Sequence, residues 1–257
     1  MNHLDRLIRL VEAAGGLVSE GLFVERPGIM LLAATALTPR SAELFEVMNI
    51  DIDRPEYEQL AEFNSRVTYL SFPDERSSGA ADFNRRMVKE YGHLSVHSAT
   101  TATFLIAGVS VETSLELVAH SEAKVARLTS SRTRAMDQTL YRVQGAESDR
   151  EAQRSLVKEA VAQRTRWLAA NPAPDLDGRE WRNRLNLGAK ATALTFTMSI
   201  KDFHKTFIGR LSPHGVEAEV AEVCKAMCRA LHLRYPLVIE PPEAYFALNN
   251  SAKYSLE

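Results

Sequence analysis

Cysteine is nearly absent from these 257 residues; Cys224 and Cys228 are the only two. Two thiols one helical turn apart make no disulfide framework, and without a C-x-x-C pair a structural zinc site has no scaffold. No run of about 18 apolar residues occurs, so nothing reads as a membrane span. Asp5, Arg6, Arg9 and Glu12 interrupt the start of the chain, which removes a signal-peptide apolar core. Charge of one sign is not in excess either: 31 basic residues stand against 33 acidic ones. A near-neutral chain, whose basic residues are not interleaved with aromatics, is a poor general polyanion binder. Neither G-x-G-x-x-G nor G-x-x-x-x-G-K-[ST] is present, so neither phosphate-loop mechanism has support. The expectation is a protein of the reducing cytoplasm with no nucleic-acid partner, no membrane contact and no metal.

What is present is an ordinary globular composition, 45% hydrophobic, enough to bury a core without staples. Leu4, Leu7, Ile8 and Val11 follow helical spacing and stop near Gly15-Gly16. Ile29 to Leu32 reads as a buried strand. Thr38-Pro39 opens a helix of about 39–48, and another runs about 55–70. Phe72 to Ala80 has loop composition. A helix from about Ala81 to Tyr91 stops at Gly92. Thr100 to Val109 reads as a buried strand, with Ser110 as N-cap of a helix reaching about residue 122 and Glu112 in its first turn. Residues 149–170 form a helix with Leu156, Val157, Val161 and Trp167 on its apolar side, followed by a loop at 171–178. Thr192 to Met198 reads as a strand. Ser199 and Asp202 then have capping-box spacing. Val216, Val220, Val223, Met227 and Leu231 trace the core face of a long helix. Pro236, Pro241 and Pro242 are expected to end regular structure. The mixture has no βαβ rhythm, so the fold class is α+β, a single domain over residues 1–257 with a central, mostly antiparallel sheet and flanking helices.

Positive charge gathers in two stretches. Residues 119–142 hold Lys124, Arg127, Arg132, Arg134 and Arg142 against Glu122 and Asp137; residues 179–210 hold Arg179, Arg182, Arg184, Lys190, Lys201, Lys205 and Arg210 against Glu180 and Asp202. Arginine forks bind phosphate, so the stretches read either as a nucleotide or diphosphate pocket or as solvated faces. His93 and His97 stand i, i+4, but the stretch lacks the glutamate of H-E-x-x-H. A ring packing on a flat cofactor or a structural histidine competes with the metal reading. Cys224 and Cys228 sit among apolar residues, where inert core outweighs a thiolate nucleophile.

Gly92-His93-Leu94-Ser95, the strand Thr100–Ile106, Gly108-Val109-Ser110 and Glu116-Leu117-Val118-Ala119-His120 come in a definite order. That order resembles flavin-dependent thymidylate synthase, the ThyX family, whose members read G-H-E-S and then R-H-R-x-x-S-x-N-E-x-S-x-R-Y. Ala119-His120-Ser121 stands where R-H-R is expected, and Ser130-Ser131-Arg132 resembles S-x-R after a one-residue insertion. Ser199-Ile200-Lys201 resembles the family's N-L-R, with Arg210 and His214 following as its later arginine and histidine. The resemblance spans roughly residues 27–235 and leaves residues 1–26 as an extra N-terminal helical segment.

The resemblance implies an α+β homotetramer with shared active sites. It implies C5 methylation of a uridine nucleotide, UMP or dUMP, with methylenetetrahydrofolate as carbon donor, FAD as cofactor and NADPH as reductant. His93 then lies by the flavin and the folate, Ser95 contacts FAD, and His120 and Ser121 keep the flavin-side motif. Glu116 takes a nucleotide-contacting glutamine position. Ser130, Ser131 and Arg132 hold phosphate and sugar, with Arg127 and Arg134 as rival ligands, and Arg184 matches another substrate arginine. Arg210 orients the uracil. Ser199, Lys201, Lys205 and His214 lie at flavin-contacting positions. Ala119 and Ser121 replace two arginines, a loss of about 1.5–3 kcal/mol per charge-assisted contact. Such departures resemble the UMP C5-methylases of polyoxin-type nucleoside-antibiotic biosynthesis. The competing reading is a ThyX-like protein that binds nucleotide or flavin without methylating.

Overall fold

The apolar stripe near the start of the chain folds, in the computed structural model, as helix α1 (His3–Ala13), with Leu7 and Val11 buried. The model describes residues 3–69, 80–119, 121–127, 139–171, 188–212 and 215–247. Three strands come next: β1 (Leu17–Ser19), β2 (Phe23–Arg26) and β3 (Gly28–Ala34). The N-terminal 26 residues are therefore not only helical, as their pattern suggested; β1 and β2 pair antiparallel within them. Helices α2 (Pro39–Val47) and α3 (Glu56–Tyr69) lie where expected. Helix α4 (Ala80–Arg85) passes into a π-helical turn, Arg86–Glu90, and a 3₁₀ turn spans Leu94–His97. Then come β4 (Thr101–Ser110), α5 (Val111–Ala119), β5 (Lys124–Arg127), β6 (Tyr141–Arg142), α6 (Glu147–Ala170), β7 (Ala191–Ser199), α7 (Ile200–Arg210) and α8 (Ala218–Arg234). The architecture is α+β, with open antiparallel sheets and flanking helices. One sheet has the order β1-β2-β6, its β2–β6 pair being parallel, and the other β3-β4-β7-β5. Among the described residues no helix is long and apolar enough to cross a membrane.

Two compact units share the chain: Met1–Met30 with Phe104–His120 and Lys124–Phe196, and Leu31–Thr103 with Ser121–Ala123 and Thr197–Glu257. In the first unit, Leu7, Val11, Val24, Leu105, Leu140 and Ala193 make a core. Gly108, at φ +84°, is required there, because a Cβ would press on Val24 and Val11. Glu25 on β2 accepts from Ser19 and Arg154 at 2.5 Å each and pairs with Arg150 at 3.2 Å, binding α6 to the sheet. Burial alone would raise the Glu25 carboxyl. Its bond to Ser19 and its arginines outweigh burial and hold it below the usual value. In the second unit, Val220, Val223, Met227 and Leu231 are fully buried along α8 beside Phe203 and Phe207 of α7.

Several expectations need correction. The Ile29–Leu32 run lies in β3 but is not buried, Met30 and Leu32 being exposed. Leu156 lies on the exposed side of α6, 65% exposed, while Val157 is buried and Val161 and Trp167 are half-buried; of the four residues drawn on the apolar side, Leu156 alone faces solvent. Helix α5 ends at Ala119, short of residue 122. The helix assigned to 81–91 is two-part, α then π. Pro242 starts a helical turn over residues 242–247 instead of ending structure, as proline's fixed φ and missing N–H permit at a first helical position. The loop at 72–80 and that at 171–178 fall almost wholly outside the described residues.

Candidate functional site

Helix α7 begins by the chemistry its sequence predicts. Ser199 is the N-cap: its Oγ accepts from the Asp202 N–H at 3.1 Å and donates to Asp202 Oδ2 at 2.6 Å. The cap aligns a helix that buries Ile200, Phe203, Thr206 and Phe207. Lys201 is left half-buried and Lys205 exposed, with Arg210 half-buried in the last turn. A cation there suits the negative end of the helix dipole. The Arg210 charge reaches α8, where it partly offsets the effect of burial on Cys224.

A second segment is fixed from the other direction. Gly92, at φ +64°, turns the chain so that the His93 N–H returns to the Met87 carbonyl at 2.8 Å. A glycine in the left-handed region is the usual way to close a helix like this. His93 and Tyr91 emerge exposed, their rings 6.1 Å apart. Ser95 is also exposed. Helix α3 holds the turn from below, with Asn64 Nδ2 donating to the Val96 carbonyl at 3.0 Å. The 3₁₀ turn also packs against α7. His93, Ser95, Ser199, Lys201, Lys205 and Arg210 thus belong to one unit. Ser121 also belongs to it, its Oγ accepting from the Ala123 N–H at 3.4 Å. Glu116, half-buried on α5, belongs to the other unit. His120, Ser130, Ser131, Arg132, Arg184 and His214 lie outside the described residues.

The i, i+4 histidines do not share a face. His93 is exposed, whereas His97 is wholly buried, tilted against the Tyr57 ring at 6.1 Å. Neither His97 nitrogen meets a hydrogen-bond partner. Burial pushes its pKa down to about 4. Between the ordinary value of 6.5 and that level, the unfolded chain takes a proton that the folded chain refuses. Stability therefore falls with pH across this window, by about 3 kcal/mol at pH 4. Urea unfolding at pH 7 and pH 4.5 is expected to show this loss in the wild type. His97→Phe, which keeps a ring against Tyr57, is expected to show less acid loss than the wild type by a similar amount.

Sequence reasoning missed the partner of α7. His204 Nδ1 lies 2.8 Å from the Tyr245 hydroxyl, which itself accepts from the Glu240 N–H at 3.3 Å. Burial keeps the His204 imidazole below the usual histidine value, against the opposing effect of its hydrogen bond to the Val238 backbone. Tyr245 also packs edge-on against Phe207. Glu240 in turn pairs with Lys89, in the π-helical turn. The residues after α8 thereby brace both α7 and the segment leading to His93. A proline pair three residues before a tyrosine was the available signal, and it was read as a stop.

Cys224 and Cys228 are buried, with their thiols pushed up to about 12 mainly by burial. They are not poised nucleophiles. Among the described residues no three histidine, cysteine or carboxylate side chains cluster for a metal.

Residues 50–237 match the family model described as thymidylate synthase complementing protein, Thy1. No curated protein sequence matches the chain. Among solved structures, the chain is similar to a UMP/dUMP methylase, PolB, from Streptomyces cacaoi bound with 5-Br UMP. That pair shares 15% identity and a TM-score of 0.60 over 87% of this chain and 96% of the other. The same methylase bound with 5-Br dUMP gives 14% and 0.62 over 88% and 97%. Thymidylate Synthase X from Helicobacter pylori, with FAD and dUMP, gives 16% and 0.59 over 82% and 96%. At these identities the likeness is one of fold.

Proposed function

Because the chain belongs to the thymidylate synthase complementing protein family, we propose that it methylates C5 of a uridine monophosphate, UMP or dUMP, using a flavin and a folate. The observation that carries this reading is the packing of the His93 turn against α7 within one unit. It supports the reading by setting the turn that carries Ser95 against the helix that carries Lys201 and Lys205. The donor set fits FAD. His93 and Tyr91 offer exposed rings to a flat heterocycle, and Lys201 and Lys205 offer ammonium groups to a diphosphate. Ser95, Ser121, His120 and His214 complete the flavin side of the proposal.

A bound flavin, reduced by NADPH, supplies the hydride that turns the one-carbon unit of methylenetetrahydrofolate into a methyl group. The chain's own residues bind and orient. Arg210 holds the uracil and stabilises the negative charge that develops on it as C5 attacks. Ser130, Ser131, Arg132 and Arg184 hold phosphate and sugar. Glu116 accepts hydrogen bonds from ribose hydroxyls, which favours UMP and a place in specialised nucleoside biosynthesis. The buried, protonated cysteines agree with a route that needs no thiolate. We propose the homotetramer of the family as the working assembly.

The test is a product assay with FAD, NADPH and methylenetetrahydrofolate, run in parallel on UMP and dUMP. Gain of one methyl group on UMP is the expected result. Gain on dUMP alone makes the protein a divergent thymidylate synthase. Bound flavin with no methyl gain on either overturns the catalytic reading in favour of a binding protein.

A further inference from the structure

Tyr245 lies beyond the residues that match the family model, yet it ties down a helix inside them. It is wholly buried, with its ring edge-on to His204 at 5.5 Å and to Phe207 at 5.8 Å, both on α7. Its hydroxyl oxygen accepts from the Glu240 N–H at 3.3 Å and stands 2.8 Å from His204 Nδ1. Glu240 is itself held twice more. Its carboxylate pairs with Lys89 of the π-helical turn, and its carbonyl accepts from the Cys228 thiol of α8 at 3.3 Å.

The directions of these hydrogen bonds decide what acid does to them. A backbone N–H only donates, so the Tyr245 oxygen is an acceptor toward Glu240 and keeps its single hydrogen to give. Nδ1 of a neutral imidazole takes that hydrogen. A ring protonated on both nitrogens only donates. The hydroxyl must then turn its hydrogen away from the ring at a wholly buried position, while a charge is added to a half-buried one. His232 on α8 is the contrast. Its Nδ1 meets the Ile239 carbonyl at 2.7 Å, an oxygen that only accepts, so that nitrogen already carries a proton and a second one leaves the bond in place.

The titratable and charged groups facing His204 are Tyr245 and Glu240 from the segment after α8, Lys89 from the π-helical turn and Cys228 from α8. Burial, first, and then Lys89 favour the neutral ring; the Val238 backbone and Glu240 oppose them without prevailing. The Cys228 thiol, pushed up to about 12 mainly by burial, stays protonated.

We propose that Tyr245 and His204 form a latch that positions α7, and with it Lys201 and Lys205, and that protonation of His204 opens the latch. The consequence for a cofactor rests on the proposed function, which gives those two lysines to the flavin; the latch itself does not. Because the neutral ring is the latched form, the latch is whole above the ordinary histidine value of 6.5 and weakens as pH falls below it.

The experiment is amide hydrogen exchange of the full chain at about pH 7.5 and about pH 5.5, corrected for intrinsic rates. FAD titrations accompany it at both pH values, for the wild type, Tyr245→Phe and His204→Asn. In the wild type, acid is expected to lower the protection of α7 by up to about tenfold relative to α3. Helix α3 is the reference because it carries Tyr57, the ring against His97, and so records acid effects that act there. Tyr245→Phe keeps the ring against Phe207 and is expected to exchange, at both pH values, as the wild type does in acid. His204→Asn sets a side-chain oxygen near the place of Nδ1 and takes no proton, so α7 should stay protected at both. A packing role alone would not move the acid response in this way. FAD affinity should follow the protection of α7 throughout. Wild-type α7 indifferent to pH, Tyr245→Phe as protected as the wild type at neutral pH, or His204→Asn loosening in acid overturns the proposal. FAD affinity unmoved where α7 loosens overturns it too. A latch response in a protein that takes up no FAD at either pH supports the latch and counts against the proposed function alone.

Discussion

Replacing Glu62 by alanine is expected to cost about 3–5 kcal/mol. Glu62 is wholly buried on α3. Its Oε2 accepts from Arg54 at 2.8 Å, and its Oε1 accepts from Arg66, Nε at 2.7 Å and the second nitrogen at 2.5 Å. Arg54 also grips Glu58, one turn before Glu62, and Arg66 lies over the Phe83 ring at 4.9 Å. The row Arg54, Glu58, Glu62, Arg66 thus repeats at every fourth residue and joins α3 to the segment before it and to α4. Both arginine side chains are less than a tenth exposed, so removing Glu62 takes from two buried cations the carboxylate they share. Glu58→Ala is expected to cost less, near 1 kcal/mol, because its more exposed carboxylate serves one arginine only. The check is chemical denaturation of both variants. A triple variant, Arg54→Met, Glu62→Leu and Arg66→Met, should recover most of the loss, since apolar side chains of similar volume replace buried ion sets at little cost. A loss below 1 kcal/mol for Glu62→Ala would mean that the arginines find other partners.

That network also marks what could be read in advance. Strands β4 and β7 and helices α1, α7 and α8 were legible because each has a single periodicity and a local signal at its end: Ser110 for α5, Ser199 for α7, Gly15 for α1. These signals act over a few residues, so they survive translation from sequence to structure. Leu156 failed because a helix as polar as α6 leaves several apolar residues to choose from, and only packing selects among them. The four charges of α3 were passed over because an i, i+4 charge row is ordinarily a solvated face; burial is a tertiary fact. The same holds for His97, whose spacing from His93 suggested a shared face that a 3₁₀ turn does not provide. Ordered motifs singled out His93, Ser95, Ser199, Lys201, Lys205 and Arg210 in the sequence, and the fold puts these six in a single unit. Its bracing by Tyr245 was not, because the pairing of His204 with Tyr245 crosses 41 positions and leaves no periodic trace.

The stability network and the site are linked through α3. The helix that carries Glu62 also carries Asn64, which holds the Val96 carbonyl and so the turn bearing Ser95. On the proposed function, loss of Glu62 is therefore expected to weaken flavin uptake along with stability. A defect confined to catalysis must come from elsewhere, and Arg210 is the residue with that expected behaviour. On the proposed reading, Arg210→Gln lowers methyl transfer by roughly 100- to 1,000-fold, the usual consequence of deleting one donor from developing charge. Its place in the last turn contributes about 0.3–1 kcal/mol through the helix dipole, and chemical denaturation of the variant measures its whole share in folding. Flavin affinity should be nearly unchanged, since the groups assigned to the cofactor, Lys201 and Lys205, lie about two and a half and one and a half turns earlier. Arg210→Lys should recover only part of the rate, because an ammonium restores charge without the planar fork that holds a uracil edge. Single-turnover methyl transfer measured beside flavin titration separates the possibilities. A rate lost in proportion to flavin affinity would make Arg210 a cofactor ligand. An unchanged rate in Arg210→Gln would remove it from the chemistry and leave the charge on the uracil to be stabilised by other groups.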